Sequence, residues 1–171
     1  MKTFRFQTSV TVTSSAPPDA VYETVTDLNA HLIWSGDRAK DDGFKLLTLE
    51  APDGAAQVGT AFSSTGANFN GTFHDRSVVT EASPPNIFAI QTEARLDRKR
   101  GKPWEVQFIH RYDIAADGDG SRITYTDTAH RMNYVPYWLQ PWTRPLTRMA
   151  IRKGDTQQLT NLARLAEERA K

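Results

Sequence analysis

The stretch VQFIHRYDIAADGDGSRITYTDTAH, residues 106–130, reads as two alternating strands joined by a tight acidic turn. Val106, Phe108, His110, Tyr112 and Ile114 share one face of the first strand. Ile123, Tyr125, Asp127 and Ala129 share one face of the second. With the turn over Asp117 to Gly120, Ile114 lies opposite Ile123, Tyr112 opposite Tyr125, His110 opposite Asp127, Phe108 opposite Ala129 and Val106 opposite Arg131. A half-buried apolar face thus carries a histidine across from an aspartate, with two tyrosines beside them. Directly opposed side chains have Cβ atoms about 4.5–5.5 Å apart, so His110 and Asp127 are expected to hydrogen-bond. A register slip of one residue would turn the whole set outward.

Working outward, five more strands are expected. TFRFQTSVTVTSS is the first of the chain. FKLLTLEAP, QVGTAFSST, FNGTFHDRSVVTEA and NIFAIQTEARL precede the hairpin, whose own strands are WEVQFIHRYDI and RITYTDTAHRM. Their short links (DGAA, GAN, SPP, DRKRGK, AADGDGS) imply an antiparallel meander. Between the first two strands, APPDAVYETVTDL predicts a helix. Pro17 and Pro18 suit its start, Asp19 its positive end, and Val21, Val25 and Leu28 one face. NAHLIWSG predicts a second short helix ended by Gly36. A long helix runs from about Leu139 to Ala170, interrupted early by Pro141 and Pro145.

The order is strand, two short helices, six strands, long helix. The expected class is α+β, a curved seven-stranded antiparallel sheet with one face covered by the final helix, in one domain over residues 1–171. The inward stripe of that helix is Thr147, Ala150, Ile151, Gly154, Gln158, Leu162, Leu165 and Ala166. Its C-terminal half is apolar; Ala150, Gly154 and Gln158 are small or polar. Small residues there leave space between helix and sheet, or else let the two pack closely.

The element order and several phrases resemble the START-related helix-grip superfamily, in its polyketide cyclase/dehydrase and lipid-transport branch. The phrases are SSAPPDAVYETVTDLNAHLIWSG with Trp34, VGTAF (58–62), VVTEASPPNIFAIQ (78–91) with Pro84 and Pro85 at a turn, and GSRITYT (120–126) before the last helix. The resemblance spans nearly the whole chain. It implies a cavity between the sheet and the long helix, open at one end. The superfamily has no universal catalytic motif, so it assigns no catalytic residue.

Within such a cavity the hairpin's polar patch acquires a role. His110, backed by Asp127, would bind a ligand carbonyl or hydroxyl or act as acid or base, and Tyr112 and Tyr125 would donate hydrogen bonds. The alternative is a satisfied buried pair that specifies register. Asp75, inward with Phe73 and Ser77, would add a second polar contact. Phe73 and Phe108 would line the cavity, as would Ala150, Gly154 and Gln158. NYVPYWLQPW places Tyr134, Tyr137, Trp138 and Trp142 near Trp104 at the cavity mouth, with the STGANFNG loop (64–71) and the DRKRGK loop nearby. This is a gate for a flat apolar ligand, a plug, or a surface for a partner or membrane. Phe62, Phe73, Phe88 and Phe108 are large enough to fill the space.

Composition excludes several classes. There is no cysteine, so no disulfide, thiolate nucleophile or cysteine-ligated metal. Lys and Arg number 21 against 20 Asp and Glu, a balance unlike that of nucleic-acid binders. The basic run RLDRKRGK (95–102) reads as a solvated hairpin tip. His31 and His130 have no metal-ligand spacing, and Gly66 and Gly71 make no nucleotide fingerprint, so no metal and no cofactor are expected. MKTFRFQTSV has no apolar segment of signal-peptide length and no run is long enough to span a membrane, so a cytoplasmic protein is expected. Three functions remain: binding of a small hydrophobic ligand (aromatic, polyketide-like or lipid-like), a cyclase or dehydratase using His110, Asp127 and Tyr125, or a protein-interaction module with a filled cavity.

Overall fold

The computed structural model describes residues 5–39, 44–68, 70–130 and 140–171; the side chains of Arg5 and of most of residues 140–150 lie outside that description. Seven antiparallel strands form one sheet: β1 (Arg5–Ser14), β2 (Lys45–Glu50), β3 (Ala61–Asn68), β4 (Gly71–Ser83), β5 (Ile87–Arg98), β6 (Trp104–Asp117) and β7 (Gly120–His130). Their spatial order is β1-β7-β6-β5-β4-β3-β2. The meander from β2 to β7 thus closes by pairing its last strand with the first of the chain.

Between β1 and β2, helix α1 (Pro18–Thr26) begins with Pro17 as its N-cap and Asp19 in its first turn. Val21, Val25 and Leu28 are almost wholly buried, as their spacing predicts. The second short helix differs from expectation. It is a 3₁₀ turn, Leu28–Ala30, followed by a π-helical turn, Leu32–Asp37. The Asp27 carboxylate accepts from Ala30 N at 3.3 Å, which starts the turn. Gly36 does not end the segment. It sits inside it, because a Cβ there would lie 2.9 Å from the Leu46 carbonyl oxygen; the missing side chain lets β2 approach.

Strand β3 is shifted towards the C-terminus of its expected run. Gln57–Thr60 is a turn, closed by Thr60 N donating to the Gln57 carbonyl at 2.9 Å, with Gly59 at φ +88°. The supposed loop 64–71 is therefore mostly strand. Helix α2 (Gln140–Arg169) carries Pro145 inside it instead of breaking there. Pro141 falls in the first turn, where a missing N–H costs nothing.

Packing against the sheet divides the interior in two. The larger core joins α1 and the C-terminal half of α2 to the sheet through Val10, Ile90, Ile114, Ile123, Leu159 and Leu162. A smaller cluster of Phe6, Ala94, Val106 and Ala129, flanked by Phe73, Phe108 and Ile151, sits towards the other end. What lies between the two is polar.

Candidate functional site

The polar layer follows from register. On β1 the inward residues run Phe6, Thr8, Val10, so Thr8 separates the two apolar clusters. Thr8 pairs with Asp127 on β7, and Asp127 with His110 on β6. One step along, Thr92 on β5 pairs with Ser77 on β4, their hydroxyls 2.9 Å apart and buried. Asp75 lies two residues from Ser77 on the same face. The hairpin register is as the sequence predicts: His110 opposite Asp127, Tyr112 opposite Tyr125, Ile114 opposite Ile123, Phe108 opposite Ala129. Arg131, expected opposite Val106, lies outside the described residues.

The His110 geometry differs from the simple pair expected. Nδ1 lies 2.7 Å from the Tyr125 hydroxyl oxygen and 3.3 Å from Asp127 Oδ1. The Tyr125 contact has hydrogen-bond geometry; the Asp127 contact is ionic, and Asp127 Oδ1 accepts no hydrogen bond. The rings form a row, stacked from Phe108 to Tyr125 and tilted or edge-on beyond. Phe108 and His110 have centroids 5.5 Å apart, His110 and Tyr125 6.1 Å with planes 8° apart, and Tyr125 and Tyr112 4.9 Å. Phe88 and then Tyr22 continue the row. Cross-strand alternation in β6 and β7 places each ring beside the next.

Helix α2 contributes a residue the sequence reading did not single out. Asp155 Oδ2 accepts from the Thr8 hydroxyl at 3.1 Å, which brings a third carboxylate to the layer. Beside it, a Cβ added to Gly154 would meet no atom within 4 Å, so the helix leaves open space there. One turn on, Gln158 Nε2 donates to the Phe44 carbonyl at 3.4 Å. The Phe44 ring covers Gly66, where a Cβ would collide with it, and packs edge-on to Phe73 at 5.5 Å.

These groups titrate away from their ordinary values. Burial raises the Asp155 carboxyl to about 7, helped by the Asp127 charge and opposed by the Thr8 hydrogen bond and His110. Burial likewise raises Asp75 to about 6, opposed by His110 and His74. For His110, burial favours the neutral ring, but the Asp127 contact and the charges of Asp127, Asp75 and Asp155 outweigh it, and its pKa is raised. Burial raises both tyrosines, with Asp155 and Asp127 adding to the effect, so Tyr112 and Tyr125 remain neutral donors. Asp75 Oδ1, like Asp127 Oδ1, is buried without a hydrogen-bond partner.

The remaining expected residues are placed as follows. Trp104 opens β6 with the Arg98 guanidinium 4.2 Å over its ring. Trp138, Tyr134 and Tyr137 lie outside the described residues, as do the side chains of Trp142 and Ala150, so the aromatic gate is not part of this site description. Among the described residues no cluster of His, Asp and Glu has metal-binding geometry. No described helix is long and apolar enough to cross a membrane. An open groove of about 760 Å³ is bordered by Glu50, Thr65, His74, Asp75, Arg76, Glu93 and Gln107. Its lining mixes charged and hydroxyl side chains and reaches Asp75, but does not include His110, Asp127 or Asp155.

Residues 5–167 match the family described as polyketide cyclase / dehydrase and lipid transport. The chain belongs to that family. Its fold recurs in solved structures of low sequence identity. Mll3558 from Rhizobium loti is 16% identical with a TM-score of 0.65, over 95% of this chain and 98% of that one. CV1439 from Chromobacterium violaceum is 20% identical with a TM-score of 0.63, over 94% and 96%. A protein of the dynemicin biosynthetic locus, DynU16, is 17% identical with a TM-score of 0.55; 94% of this chain matches 47% of that one. No curated protein matches the chain in sequence.

Proposed function

We propose that this family member binds a small hydrophobic ligand between the sheet and α2, with its polar end at His110, Tyr112, Tyr125, Asp127 and Asp155. The observation that carries the reading is a polar layer with two buried carboxylate oxygens, on Asp75 and Asp127, left without hydrogen bonds, together with open space at Gly154 beside Asp155. An unsatisfied buried acceptor costs about 1–3 kcal/mol, so a fold keeps such atoms where a ligand or water meets them. The stacked rings of Phe108, His110 and Tyr125, all half-buried, offer flat surface to an aromatic, polyketide-like or lipid-like body.

Native mass spectrometry of freshly purified protein, with organic extraction, tests this. A discrete bound hydrophobic compound is expected. A bare polypeptide mass that also fails to shift with aromatic and lipid compounds would instead support a filled interior and an interaction role.

A second reading is favoured by one specific observation: Asp155, raised to about 7, and His110, also raised, share one polar layer. Such a pair suits proton shuttling in a cyclase or dehydratase, with His110 as acid or base, Asp127 holding it and Tyr125 polarising a carbonyl. Orientation of a reactive chain in a shaped cavity would supply much of the rate.

A further inference from the structure

The polar layer is rich in carboxylates. Asp75, Asp127 and Asp155 face one imidazole. The charges that act on His110 are those three carboxylates; those that act on Asp155 are Asp127 and His110. The imidazole is also engaged: its Nδ1 is already held between the Tyr125 oxygen and Asp127. Asp127 is 7% exposed, and its Oδ1 has the ionic contact with His110 at 3.3 Å but no hydrogen bond, so the acceptor can still take a donor. Asp75 Oδ1 repeats the pattern from β4.

Resting on the ligand-binding reading above, we propose that the ligand's polar end is a hydrogen-bond donor, an alcohol, a phenol or a protonated amine, and that carboxylate-headed molecules such as fatty acids are excluded. A donor satisfies whichever of Asp127 Oδ1 and Asp75 Oδ1 it reaches, the two lying on strands separated by β5 and β6. A protonated amine adds a charge opposite to that of the three carboxylates. A carboxylate adds a fourth negative group beside three, in a half-buried site where water screens the repulsion only in part. The exclusion is therefore electrostatic and needs no steric barrier.

The test uses probes that share a body and differ only at the head. 2-Naphthylmethanol, 2-naphthylmethylamine and 2-naphthoate are titrated calorimetrically into the full-length protein, and so are decanol, decylamine and decanoate. At about pH 8, where Asp155 is ionised, the alcohol and amine of at least one series should bind about tenfold or more tighter than the carboxylate, the scale of one hydrogen bond to a charged group. Asp127→Asn should reduce the amine's advantage over the alcohol by about tenfold, because the carboxamide keeps the shape and removes the charge. The wild-type comparison stands alone should that variant not fold. A carboxylate that binds as tightly as its alcohol and amine overturns donor selection while leaving ligand binding intact. Failure of all six probes to bind overturns the ligand-binding reading, and donor selection with it.

Discussion

Asp155, in the middle of α2, accepts a hydrogen bond from Thr8 of β1 at 3.1 Å, joining residues 147 apart in sequence. This contact ties the helix to the polar layer at the point where the two apolar clusters part. It also buries a carboxyl group whose pKa rises to about 7. The folded state then holds this proton more tightly than the unfolded chain, so Asp155 contributes its full stability in acid and loses it as pH climbs towards 7 and beyond. Asp75, raised to about 6, and His110, also raised, act in the same direction.

Asp155→Asn should therefore stabilise the protein at about pH 8, by a gain on the order of 2 kcal/mol, since the carboxamide keeps an acceptor for Thr8 without the buried charge. At about pH 5 the gain should shrink by more than half, because the wild-type carboxyl is then protonated in the fold. Urea melts at the two pH values measure this; a gain equal at both would contradict the raised pKa.

His31 carries the opposite sign. It is buried, its Nε2–H donates to the Val25 carbonyl at 2.8 Å, and its ring lies 4.7 Å from that of Trp34. Burial pulls its pKa down to about 4, despite the Val25 hydrogen bond and Asp27. The neutral ring is favoured in the fold, so its stability is present above about pH 6.5 and lost as pH falls towards 4. His31→Phe keeps the aromatic contact and loses the hydrogen bond, which should cost about 1–2 kcal/mol at about pH 8. Near pH 5 that cost should vanish or reverse, which paired denaturant melts would register.

Much of this site was legible in the hairpin alone. Strict alternation on both strands and a turn at Asp117–Gly120 are enough to set the pairing, and pairing places His110 against Asp127. What the strands could not give is the third dimension. Asp155 sits beside Gly154 on the stripe the helix turns inward, yet a charged residue there reads as solvent-facing until the helix is docked. Only the inward Thr8, a polar interruption between Phe6 and Val10, hinted that the sheet expected a polar partner at that level. The hydrogen bond of His110 to Tyr125 was hidden for a related reason: diagonal neighbours on paired strands are reachable by long side chains, but opposed pairs are what a register names first. The π-helical turn at Leu32–Asp37 has no pattern of its own and depends on β2 packing over Gly36.

Gly154 offers a direct test of the space beside it. Gly154→Ala should stabilise the helix by about 1 kcal/mol, because a Cβ meets nothing and the unfolded chain loses freedom. Gly154→Leu should fold as well as wild type yet expel whatever the purified protein carries. Thermal melts with extraction of the bound fraction check both. A leucine variant that retains the same ligand at the same occupancy would remove Gly154 from the cavity wall.

His110 separates a carrier from a catalyst. His110→Phe keeps a ring in the stacked row between Phe108 and Tyr125 and removes the only imidazole in contact with Asp127 and the Tyr125 hydroxyl. A binding protein should fold, retain hydrophobic ligands and show altered affinity. An acid-base enzyme should retain binding and lose turnover by about 10²–10⁴-fold. His110→Gln, which restores a polar contact to Tyr125 without a titratable group, should recover affinity in the first case and no turnover in the second. Binding and product formation are followed on the same ligand, first identified by extraction. Loss of binding in both variants, in folded protein, would make His110 a ligand contact and leave the catalytic reading without support.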